Sequence, residues 1–225
     1  WKDSLDNQSQ LLLSSWVGSG GPCNYWVGIR CINDEVVAVT HINLTSYGLR
    51  GTLHHLNFSS FSHLFSIDLH NKSLHGNIPT HIGTLSTLTH LDLSLNLFSG
   101  TIPSEICHLK NLEFLYMYGN LLSGTIPQGI GTLSSLTELL LYKNNLTGSI
   151  PTSIGNLGNL TTLYLHTNKL SGSIPQETGM LKSLVDLQLG INNFTGSIPT
   201  CIGNLGNLTT LILRTNKLSG SIPQE

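Results

Sequence analysis

His54, His55 and His63 fall within ten residues of one another, and His70 and His90 each stand two residues from an aspartate, Asp68 and Asp92. Imidazoles grouped in this way could ligate a metal, and an imidazole beside a carboxylate could sense pH near neutrality. Ten histidines spread through a polar chain produce such groupings by chance, so the sequence favours scattered surface residues over a site. No metal and no cofactor are expected. Neither GxSxG nor HExxH occurs, and no phosphate-binding loop or paired catalytic acid stands in a suitable context. Any Ser–His–Asp set picked from this chain would be arbitrary. The expectation is a protein without catalysis of its own.

The cysteines and asparagines speak to compartment. Cys23 and Cys31 bracket CNYWVGIRC, a short loop that a disulfide would close in an oxidising environment. That reading is favoured over a free or metal-bound pair, because zinc needs two more ligands and none lies close by. Asn-x-Ser/Thr sequons stand at Asn7, Asn43, Asn57, Asn71, Asn145, Asn159, Asn193 and Asn207, a density that suits a secreted glycoprotein. Composition narrows the partners. With 10% charged residues, a net charge of -2 and no basic stripe, nucleic acid is not expected. No run approaches 18 apolar residues, so no segment reads as a membrane span.

What must position any functional group is a period. The pattern LxxLxLxxNxLxGxIP begins at Leu64, Leu88, Leu112, Leu136, Leu160, Leu184 and Leu208, a step of 24 residues each time, with a looser copy from Val39. Leucines in the fourth and sixth slots share one face of a short strand, and stacked strands then share one core. The ninth slot holds Asn96, Asn120, Asn144, Asn168, Asn192 and Asn216, each expected to bond backbone groups of its own and the next turn. Glycine and proline follow, marking a turn and an irregular or 3₁₀ segment on the outer side. Ile82, Ile106, Ile130, Ile154 and Ile202 return to the core, and Thr178 breaks that series.

These repeats, LTHLDLSLNLFSGTIPSEI among them, resemble the plant-specific leucine-rich repeat of cell-surface receptor-like kinases. WKDSLDNQSQLLLSSW followed by CNYWVGIRC is similar to the helical cap and Cys-flanked Trp motif that open those ectodomains. The resemblance runs over the whole chain. It implies an α/β solenoid: a right-handed leucine-rich repeat superhelix with a parallel concave β-sheet, a 3₁₀ or irregular convex side and a helical N-terminal cap. Residues 1–38 would form the cap with its Cys23–Cys31 disulfide, and residues 39–225 the repeats, one degenerate and seven of 24 residues, the last incomplete. It further implies a secreted peptide ligand bound on the inner surface, a co-receptor of the same repeat class, and a place on the extracellular face of the plasma membrane. Kinase activity and membrane attachment would lie in segments absent from this chain, which reads as a fragment. An alternative is a free-standing inhibitor of a secreted cell-wall hydrolase, like the polygalacturonase-inhibiting proteins; ice-binding or scaffold repeats form a third class.

Function is expected in the slots the scaffold leaves free, the third, fifth and seventh of each strand. Phe114, Tyr116, Tyr118, Leu140, Tyr142 and Tyr164 would line adjacent rungs, and four of the six tyrosines fall on this patch. Tyr and Phe suit strands in any case, but contiguous exposed aromatics are characteristic of binding surfaces. His166, Asp92, Glu138, Asp186 and Arg214 complete the expected ligand-binding set, which would suit a peptide with an apolar middle and a basic end. Residues 147–177 and 195–225 share 28 of 31 positions, and two of the three differences, Tyr164/Ile212 and His166/Arg214, fall in these free slots. Cys107 and Cys201 sit about four rungs apart, too far to bridge at roughly 4.8 Å per rung.

Overall fold

Each 24-residue repeat forms one rung of a solenoid. The computed structural model describes residues 1–17, 21–33, 37–45, 47–70 and 73–223; Asn71 and Lys72 lie outside them. Three-residue strands at Ser66–Asp68, His90–Asp92, Phe114–Tyr116, Glu138–Leu140, Thr162–Tyr164, Asp186–Gln188 and Thr210–Ile212 pair in parallel, in unbroken chain order. Their register repeats the sequence period, so that Phe114 faces Glu138 and Tyr116 faces Leu140. The sheet is preceded by Val37–Asn43, parallel to Ser66–Asp68, and by Ile29–Asn33, which runs antiparallel to Val37–Asn43.

The core lies behind the sheet. Leu115, Met117, Leu139, Leu141, Leu163, Leu165, Leu187 and Leu189 point away from the free slots and are buried, as strand alternation requires. Ile82, Ile106, Ile130 and Ile154 close the core from the outer side, whereas Ile202, on the final described rung, is only half-buried. The outer segments Thr80–Thr84, Ser104–His108, Gln128–Thr132, Thr152–Asn156, Gln176–Met180 and Thr200–Asn204 are 3₁₀ helices, each entered from a proline. Proline fixes φ and donates no hydrogen bond, which suits the N-cap position just before so short a helix. Successive 3₁₀ segments stack tightly: a Cβ on Gly131 would collide with the Ser153 carbonyl oxygen. Gly124, at φ +72°, takes the preceding turn in the left-handed region.

The asparagine ladder differs in direction from expectation. Asn144 Nδ2 donates to Leu141 O at 3.1 Å in its own rung and to Met117 O at 2.9 Å in the preceding rung. Its Oδ1 accepts from Leu122 N at 3.0 Å, also in the preceding rung. Asn96, Asn120, Asn168 and Asn192 repeat the pattern. The side chain therefore reaches backward, because the sixth-slot carbonyl of one rung is directed at the asparagine of the next.

At the N-terminus, Asp6 caps the helix Asn7–Leu12 by accepting from Ser9 N at 2.8 Å. Trp16 is buried, stacks on Trp26 at 4.8 Å and donates from Nε1 to Val27 O. Cys23 and Cys31 are joined by a disulfide, as expected. Among the described residues no helix is long and apolar enough to cross a membrane.

Candidate functional site

The free strand slots build a strip of rings on the open face of the sheet. In the seventh slot Tyr118 and Tyr142 stack with centroids 4.4 Å apart and planes 5° from parallel, and His166 stacks on the other face of Tyr142 at 4.5 Å. The strand spacing of one rung nearly matches the thickness of two stacked rings, which is why successive rungs produce a ladder. Tyr164 meets Tyr142 edge-on at 6.1 Å, and Phe114 meets Tyr116 in the same manner at 6.2 Å. All of these rings and Leu140 are half-buried, so their outer edges remain accessible.

Carboxylates are fixed diagonally across the strip. Tyr116 Oη donates to Glu138 Oε2 and Tyr164 Oη to Asp186 Oδ2, both at 2.6 Å and both across one rung. Gln188 Nε2 also reaches Asp186, at 3.2 Å. Burial, reinforced by the bond to Glu138, raises the Tyr116 phenol well above its ordinary value. Tyr164 is pushed up to about 12 by burial and then by Asp186, and Tyr142 to about 12 by burial and then by Tyr118. His166 titrates below its ordinary value because it is desolvated and because Lys143 and Arg214 stand near it. The shifts at Tyr142 and His166 both favour the neutral ring.

Not every expected residue joins the strip. Asp92 is buried at 9% exposure, with Oδ1 accepting from Ser94 N and Ser94 Oγ, so its carboxylate is largely engaged within the protein. Arg214 is exposed and stands two rungs from His166, with Gly190 between them in the same slot. Two histidines expected to be scattered surface residues lie beside the strip instead. His90 packs against Phe114 and Tyr116 at 5.4 Å each, and His70 hydrogen-bonds Ser94 Oγ at 2.8 Å. Their third and seventh slots were the available signal.

His70, Ser94 and Asp92 form a serine–histidine–aspartate chain in space, yet its order does not serve nucleophilic catalysis. Ser94 is fully buried and gives its proton to Asp92, so it accepts from His70 rather than donating to it. Asp68, beside them, is raised above the usual carboxylate range by burial, partly offset by the bond from His70 N. Among the described residues no group of three His, Cys, Asp or Glu side chains is placed to hold a metal. Cys107 is buried and Cys201 half-buried, and neither is bonded to another cysteine. A cavity of about 720 Å³ lies at the cap among Trp1, Trp16, Trp26 and Phe61, away from the ring strip.

Asn7, Asn43, Asn57, Asn159 and Asn207 are exposed, and Asn145 and Asn193 half-buried. Asn159 and Asn207 already donate from Nδ2 to carbonyls of the preceding rung, Ser134 O and Lys182 O. No sequon interrupts the strip from Phe114 to His166.

Known proteins share both the repeat and the fold. The Leucine Rich Repeat family profile matches residues 87–109, 111–133, 135–157 and 159–181. The leucine-rich repeat receptor-like serine/threonine-protein kinase RGI4 of Arabidopsis thaliana is 42% identical over 107 residues, 47% of this chain and 9% of that kinase. The Arabidopsis receptor kinase HAESA, solved in complex with the peptide hormone IDA and the co-receptor SERK1, aligns at a TM-score of 0.79 and 35% identity, covering 99% of this chain and 41% of that one. The BIR2 ectodomain from Arabidopsis thaliana aligns at a TM-score of 0.55 and 31% identity, over 78% of this chain and 80% of its own. The chain belongs to the leucine-rich repeat ectodomains of plant receptor-like kinases. It spans less than a tenth of the length of the first curated kinases it matches.

Membership of this ectodomain family assigns the leucines, the asparagine ladder and the glycines to the scaffold. The ring strip lies outside that scaffold. In the two near-identical segments, Tyr164/Ile212 and His166/Arg214 lie in or beside strands of the open face, while Ser153/Cys201 lies in the outer 3₁₀ segments.

Proposed function

We propose that this chain is the extracellular recognition portion of a plant receptor-like kinase and that a secreted peptide lies along the concave face over Tyr116, Tyr118, Leu140, Tyr142, Tyr164 and His166. The observation that carries this reading is the ladder of stacked, half-exposed rings at 4.4 and 4.5 Å, continuous over three rungs. Aromatic side chains held rigid before binding offer contact area at little ordering cost, and Tyr is enriched in binding hot spots. Glu138 and Asp186 set the polar edge of the site. HAESA, with its peptide hormone and its co-receptor, supplies the precedent for both kinds of partner. Exposed sequons such as Asn7 and Asn57 carry glycans in this reading and leave the strip bare.

The test is a triple substitution. Replacing Tyr116, Tyr142 and Tyr164 with Ala should preserve the circular dichroism spectrum. It should also abolish capture of the peptide that the unaltered glycosylated chain selects from a library of secreted peptides. Retained affinity in calorimetry would place the site elsewhere.

A further inference from the structure

We propose that the peptide is bound as a polyproline II helix that presents one backbone N–H and one apolar side chain to the face at every third residue. This deepens the peptide-binding reading and rests on it. The observation is a repeat of two rungs. The Tyr116–Glu138 pair recurs 48 residues later as Tyr164–Asp186, with the same 2.6 Å bond and the same diagonal placement. Between them the intervening rung places Leu140 in register with both tyrosines, and Thr162 in register with both acids.

Spacing selects the ligand conformation. Adjacent strands lie roughly 4.8 Å apart, so the two pairs repeat at about 9.6 Å. A polyproline II helix advances about 3.1 Å per residue and repeats every three residues, at about 9.3 Å. A ligand in β conformation repeats like-facing groups at about 6.8 Å and falls out of step within one repeat. An α-helix keeps its interior N–H groups to itself.

Chemistry points the same way. Each carboxylate accepts one tyrosine hydroxyl, and Asp186 also accepts from Gln188, yet each retains acceptor capacity. An X-Pro-Pro repeat has one N–H per turn, because proline has none. That N–H would meet Glu138 in one turn and Asp186 in the next. The apolar side chain of X would settle on Leu140 between Tyr116 and Tyr164, with Tyr142 closing one side at 6.1 Å from Tyr164. Aromatic-lined grooves take proline-rich segments in this manner because the helix is ordered before it binds.

The experiment titrates the full chain, followed by its tyrosine resonances, with four probes. These are acetyl-(Leu-Pro-Pro)3-amide, acetyl-(Leu-Gly-Gly)3-amide, acetyl-(Leu-Pro)4-amide and cellohexaose. The expected result is that the first binds about tenfold or more tighter than the others and loses that advantage in the Glu138→Ala/Asp186→Ala double variant, whose fold is checked by circular dichroism. Equal binding of all three peptides overturns the polyproline II conformation and leaves the peptide reading standing. Binding of cellohexaose alone overturns both. Failure of every probe, or an unchanged affinity in the double variant, overturns this inference, and the library screen then judges the peptide reading independently.

Discussion

Tyr164 Oη and Asp186 Oδ2, 22 residues apart in sequence, meet at 2.6 Å across one rung of the sheet. The bond joins the fifth slot of one strand to the third slot of the next, a diagonal within reach of an aromatic side chain. Removing only the hydroxyl isolates its contribution. Tyr164→Phe should lower unfolding stability by about 0.5–1.5 kcal/mol in urea titration, because a partly buried carboxylate keeps Gln188 and water as substitutes. Burial, reinforced at Tyr164 by the same bond, makes stability fall in alkali. Both Tyr142 and Tyr164 are raised to about 12 in the folded chain, against about 10 when unfolded. Their contribution is complete below pH 10 and is lost as pH climbs towards 12. Melting at pH 9 and pH 11.5 should show a smaller drop for Tyr164→Phe than for the unaltered chain.

Asn144 tests the ladder. Its side chain is buried and bonds Leu122 N, Met117 O and Leu141 O; after Asn144→Ala the two carbonyls still accept from Asn120 and Asn168, while the Leu122 N–H is left without its partner. A loss of about 1–3 kcal/mol is expected, the cost of one unsatisfied buried group. Denaturant unfolding measures it. A loss below about 1 kcal/mol would mean that the ladder is decoration on a leucine core.

The ladder also shows where sequence reading succeeds and fails. Leucine slots and the parallel order of the sheet follow from a strict period, because one geometry recurs at every rung. The direction in which Asn144 reaches does not, since the period is the same whether it bonds forward or back. Likewise Tyr116, Tyr118, Tyr142 and Tyr164 could be placed on one face from their slots. That Tyr118 and Tyr142 stack while Tyr116 and Tyr164 bond to acids depends on side-chain torsions that slots do not encode. Asp92 was read as an exposed acid because its slot faces outward; Ser94, two residues on, is what draws its carboxylate in.

Thr178 stands where the other rungs carry isoleucine, and its hydroxyl is buried without a hydrogen-bond partner. Val keeps the branched shape and removes the unsatisfied group. Thr178→Val should raise stability by about 1 kcal/mol, the lower part of the range for such a group. Thermal melting at neutral pH would register a higher midpoint, and an unchanged one would indicate that water reaches the hydroxyl.

His166 closes the ring ladder, and its protonation opposes the stack. One face is covered by Tyr142, Nδ1 is bonded to Thr167 Oγ1, and Lys143 and Arg214 add positive potential that Asp186 only partly offsets. Its folded pKa is therefore depressed below the unfolded value of about 6.5. The stability that comes from keeping it neutral is present above pH 6.5 and is lost as pH falls towards and through the folded value. His166→Phe retains a ring to stack on Tyr142 and removes the proton. Between pH 7.5 and pH 5, the variant should lose less unfolding free energy than the unaltered chain. Asp68, whose raised pKa acts in the opposite sense, is common to both proteins and cancels in the comparison. Identical pH dependence in the two would show that the ring is hydrated and that the ladder ends at Tyr142.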